Sequence, residues 1–166
     1  MSGKRIMVVE DESVVALDIQ ETLQRLGYDV PQPVSSAEKA MFIVAEVDPD
    51  LVIMDIKLEG EISGLEAAQQ IYQKYHIPII FLTAYGDQDI LSKARDVHPF
   101  GYVLKPFTDQ QLEIAIQMAL HHHIVEERLK KNERRLKRSQ RMAHLGDWEW
   151  DRDSQQVTLS EELADM

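Results

Sequence analysis

Acidic side chains directly follow two apolar stretches of the chain. Glu10-Asp11 comes after the run Arg5–Val9, and Asp55 comes after the run Leu51–Met54. An aspartate at the end of a strand is by default a turn residue, because its side chain hydrogen-bonds to its own backbone. Carboxylates that are crowded together repel one another unless a cation or protons neutralise them, and hard oxygen ligands of this kind suit Mg²⁺. These residues therefore indicate a Mg²⁺ site if the fold brings them together.

The order of apolar runs and helical spacings predicts a fold that does so. Predicted strands cover residues 5–9, 28–34, 51–55, 77–82 and 100–104, and predicted helices cover residues 14–26, 35–47, 63–75, 88–97 and 109–143. Strict alternation predicts an α/β fold whose parallel sheet is covered on both faces and connected by right-handed crossovers. Parallel strands place their C-terminal ends along one edge, so Thr83 and Lys105, which follow the last two strands, should join the acids there.

Local signals support these boundaries. Capping boxes are predicted at Ser35-x-x-Glu38, at Ser63-x-x-Glu66 and, with glutamine in the last place, at Thr108-x-x-Gln111. Pro31 and Pro33 cannot donate hydrogen bonds to a neighbouring strand, so the second predicted strand suits the edge of the sheet.

The set Glu10-Asp11, Asp55, Thr83, Tyr102 and Lys105-Pro106 resembles the receiver (CheY-like) domain of two-component response regulators. The resemblance covers residues 4 to about 120. It implies a flavodoxin-like, doubly wound, five-stranded parallel sheet in the order 2-1-3-4-5. That order places the proline-containing second strand at the edge and the switch point between strands one and three, where the acids lie.

The resemblance also implies a role for each residue. Asp55 would accept a phosphoryl group from a phosphohistidine on a partner histidine kinase. The Mg²⁺ ligands would be Glu10, Asp11, Asp55 and the backbone carbonyl of Lys57. Lys105 would pair with the phosphoryl oxygens, and its bond to Pro106 is a candidate cis peptide. Thr83 would hydrogen-bond to the phosphoryl group, and Tyr102 would change rotamer as Thr83 moves. Glu10 departs from the family, in which aspartate is commoner at this position.

Two further positions bear on the lifetime of the phosphoryl group. By resemblance, the residues two after the phosphorylated aspartate and two after the threonine border the path of the attacking water, and here they are Lys57 and Tyr85. A bulky aromatic can block in-line attack, and a lysine side chain offers no carboxylate or amide to orient the water. We therefore expect slow self-dephosphorylation, the alternative being that both side chains point into solvent.

Charge divides the 166 residues into three segments. The net charge of −11 is the balance of −10 for residues 1–123, +5 for residues 124–146 and −6 for residues 147–166. The chain has no cysteine, which excludes disulfides and thiolate-bound metals. The sequence contains neither an apolar run near 18 residues nor a signal-peptide pattern, so we expect a cytoplasmic protein with no membrane segment.

The helical pattern continues past the receiver-like region. A 3-4 spacing marks a heptad seam along a helix from Asp109 to about Ala143, which would be about 50 Å long; the seam positions are Ala115, Met118, His122, Val125, Leu129, Asn132, Leu136, Ser139 and Ala143. This pattern predicts a coiled-coil homodimer. The basic residues on the helix lack interleaved aromatics, so nucleic-acid binding is not expected. The triplet His121-His122-His123 is interpreted as surface and seam.

Residues 142–163 resemble the opening of a PAS sensor domain. Trp148-Glu149-Trp150 and Val157-Thr158-Leu159 are predicted strands, and Ser160 opens a predicted helix. The predicted organisation is a receiver over residues 1–120, a helical coiled-coil linker over residues 121–143, and the truncated start of a PAS-like domain over residues 144–166.

The leading interpretation is a phosphorylation-controlled switch that is not itself an enzyme beyond its own Mg²⁺-dependent phosphorylation and dephosphorylation. Its output would pass through the helix to the PAS-like region and an effector such as a histidine kinase or a nucleotide cyclase. One alternative is a phosphatase of the haloacid dehalogenase type, although that family has a second aspartate where Lys57 stands. Another is a flavodoxin-like flavin-binding module, although Glu10-Asp11-Glu12 would repel phosphate in the absence of a metal.

Overall fold

The architecture was analysed in a computed structural model of the chain. The structure describes residues 3–58, 60–84, 100–143, 148–151 and 156–159, with side chains described as far as residue 139. The chain divides into two compact units, Met1–His123 and Ile124–Met166. The predicted helix over residues 88–97 lies outside the described residues.

A parallel sheet forms the centre of the first unit. Its strands are β1 (Ile6–Val9), β2 (Leu51–Asp55), β3 (Ile79–Thr83) and β4 (Gly101–Leu104), in the order β1-β2-β3-β4. Every residue of β1, β2 and β3 is buried, whereas β4 exposes alternate positions. Continuous apolar runs are typical of parallel strands that are covered on both faces, which explains why the apolar pattern located these strands.

Among the described residues, the sheet has four strands in continuous pairing where the sequence predicts five. The predicted second strand contacts β1 through two isolated parallel bridges, Arg5 with Asp29 and Val9 with Val34. Hydrogen bonds run from Ile6 N to Asp29 O (2.8 Å) and from Glu10 N to Val34 O (2.9 Å). Between these bridges, Pro31 and Pro33 lack the N–H groups that a continuous ladder requires, so the segment follows the edge of the sheet without forming a regular strand.

Helices cover both faces of the sheet. On one face, α1 (Ser13–Arg25) and the start of α4 (Asp109–Ala143) bury Ile19, Leu23, Leu112 and Ile116 against Val8, Ile53 and Leu82. On the other face, α2 (Ala37–Val47) and α3 (Gly64–Tyr75) bury Val44, Ala67 and Ile71 against Met7, Met54 and Phe81. Each fully buried leucine or isoleucine contributes about 1.5–3 kcal/mol, so the two apolar layers hold the helices on the sheet.

Two of the three predicted capping boxes are confirmed. Ser63 caps α3 with a reciprocal bond from Glu66, and the Thr108 hydroxyl and the Gln111 side chain exchange bonds with each other's backbone N–H groups at 3.3 and 2.9 Å. The box at Ser35-x-x-Glu38 was wrong. Ser36 is the N-cap of α2 and accepts a hydrogen bond from Lys39 N, because Glu38 is engaged elsewhere in the fold.

The helix α4 contains 35 residues and is continuous across the boundary between the two units. Within the first unit, His122 and His123 place their rings edge-on against Phe100, with centroids 5.6 and 5.5 Å away. His122, which the heptad pattern assigned to the seam, therefore contacts the receiver-like unit. No helix among the described residues is both long enough and apolar enough to span a bilayer.

The second unit contains the remainder of α4 and a β-hairpin. Strands β5 (Trp148–Asp151) and β6 (Gln156–Leu159) pair antiparallel, with Trp148 opposite Leu159. The hairpin matches the two strands predicted there. The predicted helix that begins at Ser160 lies outside the described residues.

Candidate functional site

Three carboxylates meet at the C-terminal edge of the sheet. Glu10 and Asp11 follow β1, Asp55 ends β2, and the parallel register that pairs Val9 with Met54 brings these ends side by side. One carboxylate oxygen from each of the three residues lies within 4.8 Å of the others. Glu10 and Asp55 are buried, with exposed fractions of 2% and 8%. The strand ends thus bring together the three acids that the sequence predicted as metal ligands.

Lys105 reaches the same cluster from the end of β4. Its Nζ donates hydrogen bonds to Glu10 Oε2, at 2.6 Å, and to Asp55 Oδ2. Its backbone N donates to Thr83 O at 2.7 Å, and the peptide bond from Lys105 to Pro106 is cis. Because β3 lies between β2 and β4, only a long side chain such as that of Lys105 can bring a cation from the end of β4 to the acids at the ends of β1 and β2.

Burial and charge set the protonation of this cluster. Burial, together with the nearby charge of Asp55, raises the pKa of Glu10 to about 7, although the hydrogen bond from Lys105 opposes the shift. Burial lowers the pKa of Lys105, but hydrogen bonds to Asp55 and Glu10 outweigh it, so the pKa is raised overall and the ammonium stays charged at neutral pH. Three carboxylates against one ammonium leave excess negative potential, which favours a divalent cation.

The loop after β2 holds Asp55 from the other side. Lys57 N donates to Asp55 Oδ1 at 2.8 Å, so each carboxylate oxygen of Asp55 accepts one hydrogen bond from the protein. The side chain of Lys57 is exposed. At the far end of the loop, a Cβ on Gly64 would lie 2.2 Å from Asp55 O. Only a glycine allows the start of α3 to approach the backbone of Asp55 this closely.

Thr83 and Tyr102 lie on neighbouring strands beside the acids. Thr83 is buried at the end of β3, and its hydroxyl donates to Ala84 O at 3.4 Å. Tyr102 stacks on Phe81 with ring centroids 6.0 Å apart, and 38% of the residue is exposed. Both residues line one cavity of about 660 Å³ together with Leu104, Pro106 and Met118. Tyr85, the other position predicted to tune dephosphorylation, lies outside the described residues.

Sequence reasoning missed two residues that shape the site. Gly64 contacts the backbone of Asp55, and its position in the first turn of a helix, where glycine is unfavourable, is a signal that could have revealed it. Glu38 bonds to the loop after β2. No sequence pattern indicated this role, because Glu38 fitted a local capping box.

Comparison with known proteins identifies the family to which this arrangement belongs. The response regulator receiver domain family matches residues 6–117 of the chain. The chain belongs to this family. As the fold of the receiver family requires, the first unit has a parallel α/β sheet of the flavodoxin-like type.

Individual relatives of this receiver agree with the assignment. The transcriptional regulatory protein PdtaR from Mycobacterium tuberculosis is 34% identical over 117 residues, covering 70% of this chain and 57% of that protein. The chain therefore spans little more than half the length of this relative.

Solved receiver structures are similar along most of the chain. The receiver domain of a modulated diguanylate cyclase from Desulfovibrio desulfuricans G20 has a TM-score of 0.71 and 33% identity, covering 75% of this chain and 98% of that one. The N-terminal domain of a response regulator/sensory box/GGDEF 3-domain protein from Carboxydothermus hydrogenoformans has a TM-score of 0.68 and 35% identity, covering 74% and 98%.

Proposed function

We propose that Asp55 accepts a phosphoryl group from a phosphohistidine on a partner histidine kinase, in a Mg²⁺-dependent reaction. The observation that carries this proposal is the meeting of Glu10, Asp11, Asp55 and Lys105 at one sheet edge in a chain of the receiver family. A phosphohistidine donor follows from membership of that family. The match to the receiver family over residues 6–117 favours this function over the dehalogenase-type phosphatase and the flavin-binding module.

The transfer is a substitution at phosphorus. A carboxylate oxygen of Asp55 forms a bond to phosphorus as the bond from phosphorus to the kinase imidazole nitrogen breaks, and the electron pair returns to that nitrogen. Such a reaction depends mainly on positioning and on neutralising charge. Asp55 suits the role because Lys57 N and Lys105 Nζ each hold one of its oxygens, which fixes the direction that the carboxylate faces.

The acids fit a Mg²⁺ ion. Glu10, Asp11 and Asp55 offer three oxygen ligands within 4.8 Å of one another, and the carbonyl of Lys57 is a fourth candidate ligand. When bound, Mg²⁺ supplies positive charge that screens the carboxylates from an incoming phosphate. Glu10 must be ionised to bind the cation. Because the pKa of Glu10 is raised to about 7, its protonation state at neutral pH depends on whether the cation is bound.

Lys105, Thr83 and Tyr102 would respond to the phosphoryl group. Lys105 is charged and already contacts Oδ2 of Asp55, so it can transfer its hydrogen bond to a phosphoryl oxygen without a large movement. Thr83 would turn its hydroxyl from Ala84 O towards the phosphoryl group. Tyr102 lines the same cavity as Thr83, and we propose that its rotamer changes as Thr83 moves.

The output would pass along α4 to a PAS-like region and an effector, such as a histidine kinase or a nucleotide cyclase, in a larger cytoplasmic signalling protein. Support comes from the hairpin β5-β6, which occurs where a PAS-like domain was expected to open. A further support is that one similar structure is the N-terminal domain of a protein named for a response regulator, a sensory box and a GGDEF domain. In this proposal the chain is a switch with no external substrate.

We further propose that the chain forms a homodimer through α4. Met118, Val125, Leu129 and Leu136 are exposed at heptad spacing. Exposed large apolar side chains in one row along a helix favour pairing with a second helix.

Phosphorylation of variants tests the central proposal. The native protein is incubated with a small phosphodonor, with and without Mg²⁺, and incorporated phosphate is measured by mass. Asp55→Asn should abolish incorporation, whereas Asp50→Asn, a matched change at the opposite end of β2, should retain it. Unchanged incorporation in Asp55→Asn would refute the assignment of the phosphoacceptor.

A further inference from the structure

The loop between β2 and α3, described for residues 56–58 and 60–63, starts beside Asp55 and carries Lys57. At the N-terminal end of the loop, Lys57 N is hydrogen-bonded to Asp55. At its C-terminal end, the Ser63–Glu66 capping box and the close approach of Gly64 to Asp55 O hold the loop in place. The middle of the loop is held from a different element. There the side chain of Glu38, in the first turn of α2, contacts the backbone.

Glu38 is hydrogen-bonded to the loop backbone through one carboxylate oxygen. Its Oε1 accepts hydrogen bonds from the N–H groups of Glu61 and Ile62, each at 3.0 Å. Hydrogen bonds from its own backbone N–H, from Ile62 N and from the Ser36 hydroxyl lower the pKa of Glu38, so the side chain is ionised at neutral pH. Hydrogen bonds to an ionised acceptor are about twice as strong as those to a neutral one.

Gly60 leaves room for this contact because it has no Cβ. Its φ is +153°, in the region that favours glycine, and a Cβ at this position would lie 2.8 Å from Glu38 Oε1 and 3.1 Å from Oε2. Any side chain at residue 60 would push against the carboxylate. The lack of a side chain at residue 60 therefore leaves room for the Glu38 carboxylate in its present position.

Glu38 is also connected to the other side of the acid cluster, through the start of α2. Helix α2 begins at Ala37, three residues after Val34, whose carbonyl accepts a hydrogen bond from Glu10 N at 2.9 Å. Glu38 therefore links two segments that flank the acids, one bonded to Glu10 and one carrying Lys57. Such a link fixes the separation of the two sides of the cluster.

We propose that Glu38 is a positioning residue that sets the Mg²⁺ affinity of the acid cluster by holding Glu61 and Ile62, in the loop between β2 and α3, against α2. This inference rests on the proposed function of the site. Residues that orient metal ligands without touching the metal change affinity by about 10-fold to 100-fold when they are replaced. Because Glu38 acts through the loop backbone, its effect belongs at the lower end of that range.

Calorimetric titration of Mg²⁺ into the full chain tests the proposal without relying on phosphorylation. Glu38→Ala removes the acceptor while keeping a strong helix former in α2, and Glu38→Gln keeps an acceptor oxygen without the charge. We expect Glu38→Ala to raise the Mg²⁺ dissociation constant about tenfold, with a smaller rise for Glu38→Gln.

Two controls separate positioning from general effects. Glu46→Ala replaces an exposed glutamate further along α2, and Asp50→Asn weakens hydrogen bonds at the opposite end of β2. Both should keep the native dissociation constant, and denaturation midpoints show which variants lose stability. A native dissociation constant in Glu38→Ala overturns the proposal, as does an equal rise in Asp50→Asn. If the native protein itself fails to bind Mg²⁺, the proposed metal site fails as well, which is a distinct result.

Discussion

Replacing Gly64 by alanine tests whether close approach of α3 to the backbone of Asp55 is required. A Cβ would lie 2.2 Å from Asp55 O, and 3.3 Å from both Asp55 C and Ile56 O. A carbon and an oxygen in ordinary contact are more than 3 Å apart, so α3 or the loop must move by about 1 Å. Helix propensity alone predicts the opposite sign, since alanine is about 1 kcal/mol more favourable than glycine within a helix.

The clash should outweigh propensity. Forcing an extra methyl group into a packed site costs about 1–3 kcal/mol, and the atom that it displaces is backbone rather than a flexible side chain. A shift of about 1 Å near a reacting group can also cost about 100-fold in rate. We therefore expect Gly64→Ala to be less stable by about 1–2 kcal/mol and to be phosphorylated about 100-fold more slowly.

Urea denaturation and the rate of phosphorylation by a small phosphodonor measure the two effects. Gly101→Ala is the matched control, because among the described residues a Cβ there would meet only Ile80 Cγ1, at 3.7 Å. The control should keep both the native stability and the native rate. If Gly64→Ala proves as stable and as fast as the native protein, the approach of α3 does not constrain Asp55.

Three further outcomes are expected. Burial raises the pKa of Asp50, but hydrogen bonds from Lys4 and Arg5 outweigh burial, so the pKa is lowered overall. Asp50→Asn should therefore lower the free energy of unfolding by about 1 kcal/mol in urea denaturation at neutral pH. This difference should disappear as the pH falls below about 4. Leu129→Lys with Leu136→Lys should convert a dimer into a monomer by light scattering, and a native protein that is already monomeric would contradict the seam. Lys57→Asn with Tyr85→Glu should shorten the phosphoryl lifetime at least about tenfold, a barrier change of ~1.4 kcal/mol, and an equal or longer lifetime would show that these positions do not control it.

Local patterns predicted most of the fold. The buried strands β1, β2 and β3 are continuous apolar runs, and the caps at Ser63 and Thr108 depend on residues three positions apart. Such features are fixed by neighbours in sequence. The same reasoning placed Glu10, Asp11 and Asp55 at one edge, because the ends of parallel strands share an edge whatever the details of packing.

Contacts between distant residues account for what was missed. Glu38 has the spacing of a capping box, but its carboxylate bonds to N–H groups 23 and 24 residues away. His122 also has a contact that the spacing did not predict, because its ring lies edge-on to Phe100 although the residue is exposed. For Glu38, a local pattern and a tertiary contact competed for one side chain, and only the folded structure decides between them.

The burial of the first turns of α4 has a consequence for how the rest of that helix forms. Starting a helix is costly, because several residues must be ordered before the first hydrogen bond is gained, whereas extending one adds a bond for each further residue. Leu112, Ile116 and Ala119 are fixed in the receiver core, so folding of the receiver provides the nucleus. The exposed residues that follow need only propagation, helped by pairs such as Lys130 with Glu126 at 2.7 Å. The receiver therefore provides the nucleus from which the helix of the linker extends, and unfolding the receiver removes that nucleus.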